Sequence, residues 1–137
     1  VAARWECPDC RRTFGRAHQG HLCSPALTLE DYLATAPDHE RPVAEALVAH
    51  VATLAEAVVE PVSVGLLVKR RSTFVTARTM TRWVSISLKL PRVVTDPSPD
   101  RKVQQHAGAH HHVWNVRTPA DLAPLLGLVD EAYEADA

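Results

Sequence analysis

Trp83-Val84-Ser85-Ile86-Ser87-Leu88-Lys89-Leu90 is the stretch that decides the fold class. Val84, Ile86, Leu88 and Leu90 fall on every second position, the pattern of a strand with one face in a core and a polar face opposite. Upstream, Val62, Val64, Leu66 and Val68 alternate with Ser63, Gly65, Leu67 and Lys69, giving a first strand after Pro61. Residues 73–79 form a second, 82–90 the third, and about 109–117 the fourth. Pro91–Gln104, with three prolines and mixed charge, reads as a long loop.

Helices flank this block. Thr28-Leu29-Glu30-Asp31 has the form of an N-cap with an acid three residues on, starting a short helix that Pro37 ends. Asp38 is placed to cap the longest helix, expected over 39–59, with Val43, Leu47, His50, Val51, Leu54 and Val58 on one stripe. Thr118-Pro119-Ala120-Asp121 opens the last, which carries Leu122, Leu125, Leu126, Val129 and Tyr133 on one face. The order α-α-β-β-β-β-α predicts an α+β domain over residues 26–137, a four-stranded antiparallel sheet packed on helices.

The chain has 137 residues, 46% hydrophobic and 23% charged, with a formal net charge of -1. No apolar run approaches the roughly 18 residues of a membrane span, and no charged-then-apolar leader precedes the first motif. A cytoplasmic protein without a membrane partner is the expectation. The near-neutral total hides strong asymmetry. Residues 61–117 carry ten Lys and Arg against Asp96 and Asp100, whereas 26–60 and 118–137 are acidic. Such a basic middle suits an anion- or nucleic-acid-facing surface, or a sheet neutralised by acidic helices.

All three cysteines lie within the first 23 residues, which is no disulfide framework. Cys7-Pro8-Asp9-Cys10 has the spacing of the first half of a zinc knuckle, because two thiolates two residues apart reach one ion. His18, His21 and Cys23 can supply the rest: His21 with Cys23, His18 with Cys23, or His18 with His21 on one helix face. A unit as small as residues 1–25 has too little apolar surface to fold alone, so zinc would supply most of its folding free energy. With four protein ligands the ion is structural, since catalysis needs an open position.

Trp5-Glu6-Cys7-Pro8-Asp9-Cys10-Arg11-Arg12-Thr13-Phe14-Gly15-Arg16, then Gln19-Gly20-His21-Leu22-Cys23, resembles a bacterial family known as a domain of unknown function. Its pattern is W-x-C-P-x-C-x-R-x-F-x-R-x-x-Q-x-H-x-C before a small α/β domain, and Asp130-Glu131-Ala132-Tyr133 resembles its closing helix. The resemblance implies Cys7, Cys10, His21 and Cys23 as ligands and a variable position for His18. It also implies a nucleic-acid context, because relatives of the α/β part occur beside nuclease and restriction-like proteins. It implies no activity.

If the apolar strand residues face the helices, the opposite face presents Lys69, Arg78, Lys89, Asn115 and Arg117, with Trp83 among them. Such a surface can receive a phosphate backbone or a carboxylate ligand, joined by Arg11, Arg12 and Arg16 from the metal unit. A homodimer could also cover it. A second reading is a small-molecule-binding protein or enzyme centred on His50 and His112, in a pocket between the long helix and the sheet. A third is a protein-interaction adaptor braced by zinc. No glycine-rich phosphate loop, nucleophile elbow or paired carboxylates accompany these histidines, so whether the chain is an enzyme stays open.

Overall fold

The computed structural model describes residues 4–8, 13–18 and 28–137. Near the N-terminus, β1 (Trp5–Glu6) pairs antiparallel with β2 (Thr13–Phe14). Then follow α1 (Leu29–Thr35) and α2 (Arg41–Val51), and the strands β3 (Val58–Val62), β4 (Gly65–Lys69), β5 (Thr73–Thr79), β6 (Val84–Leu90), β7 (Gln104–His106) and β8 (Ala109–Val116). α3 (Pro119–Leu122), a 3-10 turn (Ala123–Leu125) and α4 (Leu126–Ala135) close the chain. The six long-domain strands form one antiparallel sheet in the order β3-β4-β5-β6-β8-β7.

The class is the expected α+β, but the sheet has six strands and not four. β3 occupies the end of the stretch read as a helix over 39–59. The β-branched residues Val58 and Val59 pair with Lys69 and Val68, and Pro61 stands on the sheet edge, where its missing N–H costs no ladder bond. The expected strand beginning at Val62 is a hairpin, with Ser63 and Val64 as its turn; Val64 is 53% exposed and does not face the helices. β7 lies partly within the stretch read as a loop. Ala107 and Gly108, with φ of 50° and 79°, form the two-residue turn that joins it to β8. The last helix is broken into three pieces, with Pro124 inside the 3-10 turn.

Alternation places Leu66, Val68, Val75, Ile86, Leu88 and Val116 on one sheet face, where they meet Leu47, Val51, Leu122 and Val129 of the helices. A bulge where Val68 and Lys69 pair with β5 lets Phe74 and Val75 both turn inward, Phe74 against Tyr133. Thr28 caps α1 by accepting a hydrogen bond from the Asp31 N–H at 3.0 Å, and Thr118 caps α3 by accepting from Asp121. α2 starts after Glu40 and not at the expected Asp38 cap. The buried Glu40 carboxylate instead accepts hydrogen bonds from the Tyr32 and Thr79 hydroxyls, tying α1, α2 and β5 together. Burial, and then that bond to Glu40, push the Tyr32 hydroxyl up to about 12. Among the described residues, no helix is long and apolar enough to cross a membrane.

Candidate nucleic-acid interface

The register builds the second sheet face in three cross-strand rungs. Arg78, Ser85 and Asn115 stand side by side on β5, β6 and β8, with Gly65 beyond them on β4. The next rung is Leu67, Thr76, Ser87 and Val113, with Glu60 on β3. The third holds Lys69 and Thr73 on one side and Lys89 and His111 on the other. Trp83 and Arg117 extend the first rung past the strand ends, the Arg117 guanidinium 5.4 Å from the Trp83 ring centroid. Lys69, Arg78, Trp83, Lys89, Asn115 and Arg117 thus share a face, opposite the one that the helices cover.

The cations on this face differ in availability. Lys69 is 2.9 Å from Glu60, and Lys89 is 3.0 Å from Asp136, so both lysines are largely neutralised within the fold. Arg78 and Arg117 are exposed, and among the described residues neither has an ion-pair partner. The Trp83 Nε1 is buried with no hydrogen-bond partner among the described residues. Asn115 sits 3.4 Å from the Ser85 hydroxyl, and its N–H donates to Asp100 at 2.7 Å.

Asp136, just past α4, organises the far end of the face. Its carboxylate accepts from the Arg71 and Ser72 N–H groups at 2.8 and 2.7 Å, from the Ser72 hydroxyl, and from Lys89. Burial alone would push this carboxyl up. The bonds from Ser72, Lys89 and Arg71 outweigh it and hold the group below the ordinary carboxylate value. The β4–β5 turn is therefore clamped to the C-terminal helix, with Arg70 stacked 4.1 Å over the Tyr133 ring. Three clefts surround this clamp. One of about 400 Å³ lies beside Lys89, His106 and His111. One of about 570 Å³ lies between Arg4 and Arg70, and one of about 320 Å³ lies between the β2 end and Lys69.

The two histidines expected to share a pocket have separate partners. His50 lies on α2, with Nε2 2.6 Å from Asp130 of α4. His112 is fully buried on β8, stacked parallel to Trp114 at 5.4 Å. Its Nε2 accepts from the Val94 N–H at 2.8 Å, which leaves the ring proton on Nδ1, 3.1 Å from the His110 carbonyl. Burial pushes the His112 ring below its ordinary value, so it is neutral in the folded protein. It pins the stretch after β6 to the sheet, together with Trp114 donating to the Pro97 carbonyl at 3.1 Å. None of the three clefts is lined by either histidine. The Asp136 clamp has no counterpart in the sequence pattern, because a single acid just past a helix has no periodic signature.

In the N-terminal segment, Cys7 is 3% exposed, beside the β1–β2 hairpin. His18 is exposed, with φ of 56° and its ring 5.1 Å from that of Trp5; Arg16 is exposed as well. Cys10, Arg11, Arg12, His21 and Cys23 lie outside the described residues. Among the described residues, no group of three or more His, Cys, Asp or Glu is arranged to hold a metal ion.

A family model described as Domain of unknown function (DUF5655) matches residues 29–136. The chain belongs to that family. No curated protein and no solved structure matches it. The matched DUF5655 region runs from the start of α1 to the Asp136 clamp, so it includes the whole sheet and every helix described above.

Proposed function

We propose that this DUF5655 protein is a nucleic-acid-binding module, gripping a strand across the sheet face that its helices leave uncovered. The observation that carries the reading is the geometry of that face. Exposed Arg78 and Arg117 have no carboxylate partner among the described residues, and Trp83 lies beneath Arg117. Between them and the lysine end lie the Thr76 and Ser87 hydroxyls, neutral groups that a phosphate backbone can cross, and Glu60 at the far end of that rung is paired with Lys69. Guanidinium groups supply paired donors to phosphate oxygens, and an aromatic beside them offers a base a stacking surface. Arg11, Arg12 and Arg16 would extend the contact from the N-terminal segment.

In this reading residues 1–25 form a separate unit, held by one structural zinc ion on Cys7, Cys10, His21 and Cys23. The buried position of Cys7 next to a short hairpin fits a ligand role, since a thiolate ligand must be shielded and aimed inward. When bound, the ion supplies folding free energy to the segment and no chemistry of its own. Elemental analysis is expected to return one zinc per chain. Chelation is expected to collapse the amide signals of Trp5 and Phe14 while those of Ile86 and Val116 persist. Metal-free protein with dispersed Trp5 and Phe14 signals would remove zinc from the account.

The face itself is tested by Arg78→Glu combined with Arg117→Glu. Both side chains are exposed, so the double variant is expected to melt like the parent. Its affinity for a single-stranded oligonucleotide is expected to fall at least about tenfold, because two phosphate contacts become two repulsions. Parental affinity in a folded double variant would contradict the assignment.

A further inference from the structure

The cleft of about 320 Å³ at the lysine end of the sheet differs from its neighbours in what lines it. Its walls are Thr13 and Phe14 of β2, Arg4 before β1, and Lys69, Arg71 and Ser72 around the β4–β5 turn. Three cationic side chains and the hydroxyls of Thr13, Ser72 and Thr73 line it, and none of the described lining residues is a carboxylate. The adjoining cleft of about 570 Å³ shares Arg4 and Arg71 but also presents Glu56 and Asp136.

Within the smaller cleft the charges are unevenly committed. Lys69 is drawn to Glu60 at 2.9 Å and stands 5.6 Å from the Phe14 ring centroid. Arg71 is different. Only its backbone N–H enters the Asp136 clamp, and its side chain is exposed. Among the described residues, neither the Arg71 nor the Arg4 guanidinium has an ion-pair partner. Asp136 holds the turn from behind, so Arg71 and Ser72 are presented on a fixed backbone and binding there has little ordering cost.

We propose that this cleft is a phosphate-binding site, and that it seats one phosphate group of the strand lying across the sheet. A compact oxyanion with several acceptor oxygens is the ligand that two guanidinium groups and the Thr13 and Thr73 hydroxyls can jointly satisfy. The volume sits at the low end for small-ligand sites, enough for a phosphate and the sugar attached to it. The identity of the phosphate as part of a strand rests on the nucleic-acid reading. The cleft's affinity for phosphate does not.

The test is an amide NMR titration of the full chain with inorganic phosphate, then with a single-stranded oligonucleotide. Phosphate is expected to shift the signals of Gly15, Arg71, Ser72 and Thr73. Arg4→Ala with Arg71→Ala is expected to weaken it at least about tenfold, as is Arg4→Gln with Arg71→Gln, which keeps side-chain length and polarity. Arg78→Glu with Arg117→Glu is expected to leave the phosphate titration unchanged while reducing oligonucleotide binding. Absence of these shifts, or equal affinity in folded cleft variants, would overturn the site without touching the sheet face. Shifts with phosphate but none at the cleft with a bound oligonucleotide would overturn the strand as the source and leave a free phosphorylated molecule. An oligonucleotide that shifts the same four signals supports the proposal in full.

Discussion

Gly65→Ala is expected to destabilise the protein by about 3 kcal/mol or more, read as a fall of roughly 10 °C in melting temperature. Gly65 opens β4 directly after the Ser63–Val64 turn, where two strands and the turn converge. A Cβ built there lies 1.9 Å from the Ala77 carbonyl oxygen and 2.9 Å from its carbon. Both are backbone atoms of the neighbouring strand, so no side chain can swing away and the ladder itself must shift. The backbone at Gly65, with φ of 159°, adds a smaller penalty for any L side chain. Gly127→Ala is the matched control. A Cβ at Gly127 meets nothing within 4 Å, and the residue lies in α4, so alanine is expected to raise stability by up to about 1 kcal/mol. Equal melting temperatures for Gly65→Ala and the parent would mean that β4 and β5 do not pair as described.

Asp136→Ala is expected to cost about 3 kcal/mol, because one truncation strands three donors and removes the carboxylate beside Lys89. The Arg71 and Ser72 N–H groups and the Ser72 hydroxyl lose their acceptor, and the Lys89 ammonium loses its carboxylate and keeps the Ser72 oxygen. The effect has a pH signature whose sign follows from the lowered carboxyl. A group that binds its proton less readily in the folded state stabilises that state above its ordinary value, here 3.8, and loses the contribution as pH falls through its lower folded value. The stability gap between parent and variant is therefore expected to be constant near neutrality and to shrink as pH drops below 3.8. A gap that stays constant through that range, in urea melts of both proteins, would show that Asp136 is not the acceptor described.

Much of the sheet was legible because alternation is a local signal. The buried run Val84, Ile86, Leu88 and Leu90 reads directly from period two, and the polar residues between them emerge on one face. The same parity groups Arg78, Lys89 and Asn115 from the sequence alone. The edges were not legible. β3 holds a proline and sits where helical spacing also fits Leu54 and Val58, so only pairing with β4 resolves it. β7 has three residues, too few for any period, and its identity comes from the Ala107–Gly108 turn. For the candidate site, charge counting found the cations but could not say which were already spent. Lys69 and Lys89 stand on the expected face, yet Glu60 and Asp136 hold them, and those acids lie 9 and 47 residues away. His50 and His112 failed to meet for a related reason: each had a nearer partner, in Asp130 and in the Val94 N–H.

The central claim is that exposed arginines on the uncovered sheet face carry binding to a nucleic-acid strand. Its most direct measurement is the salt dependence of single-stranded oligonucleotide affinity for the full chain, beside the Arg78→Glu/Arg117→Glu variant. Four phosphate contacts, from Arg4, Arg71, Arg78 and Arg117, predict a log–log slope of about -3 for the parent, and losing two of them predicts a slope about 1.4 shallower. No binding by the parent at low salt, or the same affinity and slope in both folded proteins, would contradict it.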